Sequence, residues 1–338
     1  MKNLLPNFSH LYIENRAIGY PLSNLALSKF HRSKIIKVEH YKDIFNRTGQ
    51  DFQIQKASMK LILAKKTAPL LYPLSEMVQD YGTPNIFYNT PILNCLYNCD
   101  YCFLQGMYTS GNIVIFVNDD DFMNEIRKQI NNLKYPSKPM FVSVSYNTDL
   151  MAMENIFPLT SRWINFAAGT KNLYIEIRTK SALFSAIKDM QPSDNVILSW
   201  TLSPEYISEY YENSAPPLEK RLKSVIMALD KGWKVRLCFD PIIIVKDWYI
   251  IYCQFFEKLF SQIDTDKLID ITIGVFRMNK DYYKRIRKRE PRSDIFYNSF
   301  SVRNGVVAPD KEIRTKVLAS LVEKLSHFVP KTKILIWE

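Results

Sequence analysis

Three closely spaced cysteines are the residues of this chain best suited to do chemistry. Cys95, Cys99 and Cys102 stand at positions i, i+4 and i+7, directly after a predicted strand, Ile86–Pro91. Three thiolates in such a loop bind three irons of a [4Fe–4S] cluster and leave the fourth iron open to an exogenous ligand. The ligand expected there is the amino and carboxylate groups of S-adenosylmethionine (SAM).

A zinc site and inert structural cysteines are the alternative interpretations of this loop. Zinc normally takes four ligands from cysteine and histidine. The four histidines all lie far away in the sequence: His10, His31, His40 and His327. Five cysteines with three in one loop also differ from a disulfide framework, whose cysteines are spread along the chain. The spacing therefore favours the iron–sulfur cluster, with the other two interpretations left open.

The composition is that of a globular protein. Of 338 residues, 47% are hydrophobic, which argues against a disordered chain. The net charge of +11 favours a polyanionic partner such as nucleic acid or a nucleotide, although ordinary basic proteins share it. No signal segment and no apolar run of about 20 residues is present, so we expect a cytoplasmic protein that does not enter a membrane.

From about residue 85 onward, short β-branched or aromatic runs alternate with longer helical patterns, as in a parallel sheet with crossover helices. The predicted strands are Ile86–Pro91, Met140–Ser145, Leu173–Arg178, Val196–Leu202, Val235–Phe239 and Ile269–Val275. The predicted helices are Asp119–Leu133, Ile156–Ala168, Ser181–Met190, Leu218–Lys231 and Trp248–Phe260.

Six such units predict an α/β fold, a partial (β/α)6 barrel of the TIM type. The first 80 residues show no regular strand–helix alternation. We therefore predict a mixed N-terminal appendage over residues 1–82, then the barrel with a short C-terminal extension over residues 83–338.

The CxxxCxxC loop, with the aromatic residue Tyr101 before its last cysteine, resembles the radical SAM superfamily. Clusters of that superfamily cleave SAM reductively to a 5′-deoxyadenosyl radical. The resemblance implies that Tyr101 packs near the adenine or the cluster, the alternative being a simple core aromatic. It also implies an electron donor such as a flavodoxin or a ferredoxin.

A narrower resemblance, covering most of the chain, is to the spore photoproduct lyases, which repair a thymine dimer in DNA. The segments that carry it are 99–105, 113–118, 141–150, 178–180, 240–243 and 247–248. In that family hydroxyl groups and a lysine at the ends of successive strands bind SAM. The matching positions are Thr148, Asp149, Lys180, Ser199 and Thr201. For Lys180 the alternative is an exposed lysine at a helix start.

Two positions depart from the family pattern. Its enzymes use a cysteine just after the second strand to donate a hydrogen atom to the thymine radical, and Tyr146 stands there. A tyrosine of the hydrogen relay follows the last cluster cysteine, and here Phe103 stands instead. Either Tyr146 is itself the donor, or Cys238 on the fifth strand replaces the missing thiol, unless Cys238 is an ordinary buried cysteine.

Basic and aromatic residues interleave after the sixth strand. The basic ones are Lys280, Lys284, Arg285, Arg287, Lys288, Arg289 and Arg292. Lysine and arginine bind phosphates and tyrosines stack on exposed bases, so this segment is a candidate nucleic-acid-binding surface. A solvated basic helix face without a ligand is the alternative.

Three hypotheses for the function follow. The first is a radical SAM, lyase-like enzyme that acts on DNA or a nucleotide, with photoproduct repair as its reaction. The second is a radical SAM enzyme that modifies another nucleoside or a small molecule. The third is a nucleic-acid-binding protein with a structural or sensory cluster.

Overall fold

The computed structural model describes residues 7–74 and 82–337. Its α-helices are Pro21–Lys29, Lys42–Phe45, Phe52–Ala57, Phe103–Met107, Asp119–Ile130, Leu159–Ala168, Glu205–Tyr211, Leu218–Asp230, Trp248–Phe260, Lys280–Arg289 and Lys311–Leu325. No helix in these two ranges is long and apolar enough to cross a membrane.

The larger sheet, here called the barrel sheet, has eight strands in the described residues. Their spatial order is Ile334–Trp337, Leu268–Val275, Lys234–Ile242, Val196–Thr201, Leu173–Thr179, Met140–Ser143, Ile86–Tyr88 and Tyr72–Pro73. All neighbours pair in parallel except Tyr72–Pro73, which is antiparallel. The six predicted strands are all present, and the α/β partial barrel is confirmed. The C-terminal extension adds a seventh parallel strand, Ile334–Trp337.

The predicted helix Ser181–Met190 is wrong. Within it the structure has only one 3₁₀ turn, Phe184–Ala186. The Ser181 hydroxyl accepts from the amide of Leu183, and the Thr179 hydroxyl accepts from the amide of Ser181. Side-chain bonds of this kind compete with the helical pattern and stabilise a turn.

The helix predicted from Ile156 begins three residues later, at Leu159. The carboxylate of Glu154 accepts hydrogen bonds from the amides of Thr160 and Ser161, at 2.7 and 3.1 Å. These amides belong to the first turn, where no intrahelical acceptor exists. The start of the helix is therefore set by Glu154, five residues before it.

The N-terminal region forms a second sheet, here called the N-terminal sheet. Its strand order is Lys34–Val38, His10–Glu14, Leu61–Ala64, Ile113–Phe116 and Ile92–Leu93, with only the last strand antiparallel. The expectation that this region lacks strand–helix alternation is wrong, because the helices Pro21–Lys29, Lys42–Phe45 and Phe52–Ala57 lie between its first three strands in the sequence. The sheet takes strands from both sides of residue 82, and a domain boundary there stays a prediction.

Two hydrophobic clusters pack around these sheets. The main core joins both sheets to the helices that cover them. A smaller cluster contains Cys99 and Tyr101 and packs them against Tyr211, Phe276 and Ile286. The cysteine loop is therefore held between the barrel and the segment that follows its sixth strand.

Candidate active site

A cavity of about 460 Å³ opens at the carboxyl ends of the barrel strands, where sites in this type of fold are built. It brings together predicted site residues from four separate segments. Those that line it are Cys95, Cys99, Cys102, Tyr101, Tyr146, Thr148, Asp149, Lys180 and Thr201. The predicted Ser199 and Cys238 are absent from its described lining.

Backbone contacts shape the cysteine loop. Asn94 takes a left-handed conformation with φ of 75°, which asparagine tolerates better than most residues. Its side-chain amide donates to the carbonyls of Ser110 and Asn112, at 2.9 and 3.0 Å. At the other side, the two-residue strand Asn98–Cys99 pairs antiparallel with Glu212–Asn213. Contacts at Asn94 and at Asn98–Cys99 therefore fix the backbone of the loop.

Three thiols in one loop supply the ligands that a [4Fe–4S] cluster takes from a protein when one iron stays open. A cubane needs separated thiolates, because each cysteine binds a different iron. Burial raises the pKa of all three thiols, that of Cys95 to about 12. The ammonium groups of Lys56 and Lys180 oppose this, Lys56 at Cys95 and Lys180 at Cys99.

Thr148 offers the cavity an unused polar atom. Its side chain is buried, and its hydroxyl oxygen has no hydrogen-bond partner in the described residues. A buried hydroxyl of this kind costs free energy unless a partner binds to it. The donor set therefore fits a polar ligand such as the amino acid part of SAM.

Asp149 is engaged by the protein itself. Its carboxylate accepts from the Thr179 hydroxyl at 2.7 Å and from the amides of Lys180 and Ala152 at 2.6 and 3.0 Å. Burial raises its pKa, although these hydrogen bonds oppose the rise. Asp149 thus ties the loop after the second barrel strand to the end of the third.

Lys180 points into the site and is not an exposed lysine, since its side chain is 16% exposed. Its ammonium lies 5.3 Å from the centre of the Tyr101 ring and 4.0 Å from Oε1 of Glu212. A cation in this position can bind the carboxylate of a ligand at the strand ends. Lys180 and Tyr101 therefore line the same cavity as the three cysteines.

The two remaining predicted ligands differ in position. Thr201 lines the cavity, and its hydroxyl accepts from Nε of Arg178 at 3.3 Å. Ser199 is fully buried and donates to Glu176 at 2.8 Å. Ser199 therefore supports the wall of the site from behind.

Tyr146 forms an aromatic wall of the cavity with Tyr88 and Phe103. The ring of Tyr146 lies 4.3 Å from that of Tyr88 and 5.6 Å from that of Phe103, measured between centres. Burial raises the pKa of Tyr146 to about 12, so its phenol keeps its hydrogen at neutral pH. Cys238 is fully buried outside the cavity lining, so its position does not support a role as donor.

Sequence reasoning missed a buried charge network beneath Lys180. Glu212 bonds to the Tyr101 hydroxyl, accepts from the Ser203 hydroxyl at 3.0 Å and pairs with Arg221 at 2.5 Å. Burial raises the pKa of Glu212, but Lys180 and Arg221 lower it more, so the net shift is downward. No local sequence pattern marks Glu212, because the strand on which it lies has two residues and is too short to show one.

A second missed group is a charged wall of the cavity. Asp240 pairs with Arg277 at 2.9 Å and with Arg178 at 3.6 Å. Burial raises the pKa of Asp240, yet the two guanidinium groups lower it below its ordinary value. All three residues lie at or near the carboxyl ends of barrel strands. Charged residues at such positions could have been predicted as site residues from the sequence.

The basic segment forms the helix Lys280–Arg289 and the residues after it. Two of its arginines bond to the helix Phe103–Met107 and the residue after it: Arg285 donates to the carbonyl of Gly106, and Arg289 to that of Tyr108, both at 2.8 Å. The exposed basic residues include Lys280, Lys284, Arg287, Lys288 and Arg292. The segment thus combines a structural face with an exposed basic one.

Known proteins of similar sequence and fold cover most of this chain. The spore photoproduct lyase of Geobacillus sp. is 22% identical over 87% of this chain and 85% of its own length. That of Clostridium acetobutylicum is 22% identical over 85% and 84%. A solved spore photoproduct lyase complexed with dinucleoside spore photoproduct superposes with a TM-score of 0.82 at 18% identity, covering 98% and 99% of the two chains. A variant with bound AdoMet and dinucleoside spore photoproduct gives 0.79 at 18% identity, covering 98% and 99%.

The solved structures, at this identity, establish the fold. Assignment to a family comes from the family model described as spore photoproduct lyase, which matches residues 5–305 and so most of the chain. The three-cysteine loop, the cavity and the strand-end lysine all lie inside that match. This chain belongs to the spore photoproduct lyase family.

Proposed function

We propose that this protein is a radical SAM lyase that acts on DNA or a nucleotide, with photoproduct repair as its reaction. The observation that carries the proposal is the single cavity that holds three unpaired thiols, Lys180 and the unpartnered hydroxyl of Thr148. When bound, the [4Fe–4S] cluster and SAM supply a 5′-deoxyadenosyl radical. The two solved structures named above support nucleotide chemistry, because both contain dinucleoside spore photoproduct.

The residues of this chain divide the work of the site. Cys95, Cys99 and Cys102 bind the cluster, and the Lys180 ammonium binds the carboxylate of SAM. Thr148 donates to a polar atom of the same ligand. The aromatic wall excludes water from the radical and offers faces on which a base can stack.

Tyr146 is the proposed hydrogen donor to the substrate radical. Its phenol lines the cavity, carries its hydrogen at neutral pH and is flanked by Phe103, which has no hydroxyl. Donation breaks the phenolic O–H bond, forms a C–H bond on the substrate and leaves the unpaired electron on the tyrosine oxygen. A phenol can make this transfer, whereas an aliphatic hydroxyl holds its hydrogen too strongly.

The reaction is tested with protein reconstituted anaerobically and supplied with dithionite, SAM and dinucleotide spore photoproduct. We expect 5′-deoxyadenosine or its return to SAM, together with thymidylyl thymidine. SAM cleavage without repair would favour another substrate. An intact cluster without SAM cleavage would overturn the enzymatic proposal and leave a structural or sensory cluster.

The role of Tyr146 is tested separately with Tyr146→Phe. We expect product to be lost while SAM cleavage continues, since the ring packing against Tyr88 is preserved. Tyr88→Phe is the matched control on the same wall, and it should retain product. Full turnover in Tyr146→Phe would contradict the assignment, and loss of product in Tyr88→Phe alone would move the role to Tyr88.

Modification of another nucleoside is the second candidate function. The charged wall of Asp240, Arg178 and Arg277 favours it, because it gives the cavity hydrogen-bonding groups beyond those that bind SAM. A panel of nucleosides and nucleotides in the same assay distinguishes the two. The electron donor, a flavodoxin or a ferredoxin, and the cytoplasmic location stay predictions from the sequence.

A further inference from the structure

Lys56 reaches the cysteine loop from outside the barrel. It lies on the short helix Phe52–Ala57, and 8% of its surface is exposed. Its ammonium donates a hydrogen bond to the carbonyl oxygen of Cys95 and lies 3.8 Å from the sulfur of Met59. A residue of the N-terminal region therefore places a positive charge directly beside the first cluster ligand.

No carboxylate in the described residues forms an ion pair with Lys56. Lys180, on the other side of the thiols, has Glu212 as its partner. Removing an ammonium from water is costly unless an opposite charge compensates it. The contacts that the described residues give the Lys56 ammonium are the Cys95 carbonyl oxygen and the Met59 sulfur, neither of which carries a negative charge.

We propose that Lys56 is a positioning residue for the cluster, whose buried charge raises the reduction potential of the cluster. Each electron added makes the cluster more negative, and a nearby fixed cation stabilises that state more than the oxidised one. The hydrogen bond to the Cys95 carbonyl holds the cation at a constant distance. This inference rests on the cluster of the proposed function but not on any substrate.

The test compares Lys56→Gln, Lys56→Arg and a control, Lys60→Gln. Glutamine keeps a hydrogen-bond donor without the charge, and arginine keeps the charge. Lys60 lies just beyond the end of the helix Phe52–Ala57, and its ammonium donates to the Ser9 hydroxyl at 2.6 Å and not to the cysteine loop. Each protein is reconstituted anaerobically without SAM, its iron and sulfide are measured, and its midpoint potential is determined by titration followed by electron paramagnetic resonance.

We expect Lys56→Gln to have a more negative midpoint potential than wild type, and Lys56→Arg and Lys60→Gln to stay close to it. Cluster loss in Lys56→Gln with full loading in Lys56→Arg would also support the role of the charge. A wild-type potential in fully loaded Lys56→Gln would overturn the proposal. Equal shifts, or cluster loss, in both Lys56 variants would overturn it too, since they would make Lys56 a packing contact only.

These outcomes are distinct from a failure of the proposed function. If the wild-type protein binds a cluster but does not cleave SAM, the comparison of potentials still decides the role of Lys56. If the wild-type protein binds no cluster under conditions that load its relatives, both proposals fail, and iron analysis shows it before any titration.

Discussion

Individual side chains decide how the cavity receives a ligand. Thr148 lies at its lining with a hydroxyl that the described residues leave without a partner, whereas Asp149 next to it is fully engaged. Residue type alone does not separate the two, since both are small and polar. Their difference comes from Thr179 and Lys180, which the third strand carries to Asp149 but not to Thr148.

Thr148→Val tests this difference. We expect SAM to bind roughly 10-fold more weakly, equal to about 1.4 kcal/mol, because one hydrogen bond is lost. Stability should not fall, since the hydroxyl has no hydrogen-bond partner to lose among the described residues. Titration calorimetry with the reconstituted protein measures the binding, and thermal unfolding measures the stability.

Thr160→Val is the matched control for that variant. The Thr160 hydroxyl is also buried without a partner in the described residues, but it lies on the helix Leu159–Ala168, away from the cavity lining. Its SAM affinity should equal that of wild type. Unchanged affinity in Thr148→Val would show that Thr148 does not contact the ligand.

At the scale of elements, the two-residue strand Glu212–Asn213 joins the cysteine loop to the barrel. Besides its backbone pairing, Asn213 donates to Asp100 at 2.7 Å. Glu212 meanwhile bonds to Tyr101 inside the loop and pairs with Arg221 outside it. One short element thus links the cluster ligands to a buried ion pair.

The buried pair predicts a pH dependence of stability. Since the pKa of Glu212 in the folded protein lies below the ordinary 4.5, its carboxylate stabilises the fold above that pH. This contribution is lost as the pH falls through the folded-state pKa. We expect Glu212→Gln to lower the free energy of unfolding by about 3 kcal/mol at pH 7, because Arg221 is left buried and unpaired.

Urea unfolding at neutral and at acid pH measures this effect, and the deficit of Glu212→Gln should shrink in acid. The control is Glu219→Gln, which removes an exposed carboxylate paired with Lys223 and should leave the stability unchanged. A deficit that stays constant with pH would show that the charge of Glu212 is not its source.

The contact between the helices Phe103–Met107 and Lys280–Arg289 predicts a second effect at this scale. A Cβ added at Gly106 would overlap the Cα and Cβ of Tyr282 and lie 2.7 Å from its carbonyl oxygen. We expect Gly106→Ala to destabilise the protein by about 1–3 kcal/mol, because the helices must move apart. Gly169→Ala, whose nearest neighbour is 3.6 Å away, should keep the melting temperature of wild type. Equal melting temperatures for both would contradict this contact.

The whole molecule carries a net charge of +11, which favours binding to a polyanion such as DNA. Lys284 and Lys288 are both exposed on the helix Lys280–Arg289, which also contacts the helix Phe103–Met107. If they bind phosphates, each neutralised contact contributes about 0.9 to the slope of log affinity against log salt for duplex DNA. We expect Lys284→Ala and Lys288→Ala each to reduce the slope by about that amount.

Fluorescence anisotropy with labelled duplex at several salt concentrations measures the slope. Lys316→Ala, an equally exposed lysine on the helix Lys311–Leu325, is the control and should keep the wild-type value. Identical slopes for Lys288→Ala and Lys316→Ala would show that Lys288 does not bind DNA phosphates and that its side chain is only solvated.

Much of the barrel could be predicted, because its strands are short apolar runs between amphipathic helices. The strand Leu173–Thr179 was predicted to within one residue. The helix expected at Ser181–Met190 failed, since Ser181 and Thr179 cap a turn there. The N-terminal sheet was missed for another reason: the strands and α-helices before residue 65 are only four to nine residues long, too short to show a clear period.

The sequence by itself determined the cysteine loop, the order of the barrel elements and the lysine at a strand end. These depend on spacing along the chain, which sets local geometry. Only the tertiary structure decided that Lys56 lies beside Cys95 and that Glu212 bonds to Tyr101. Such contacts join segments 39 and 111 residues apart, and they depend on strand order and register, which no local pattern of residues encodes.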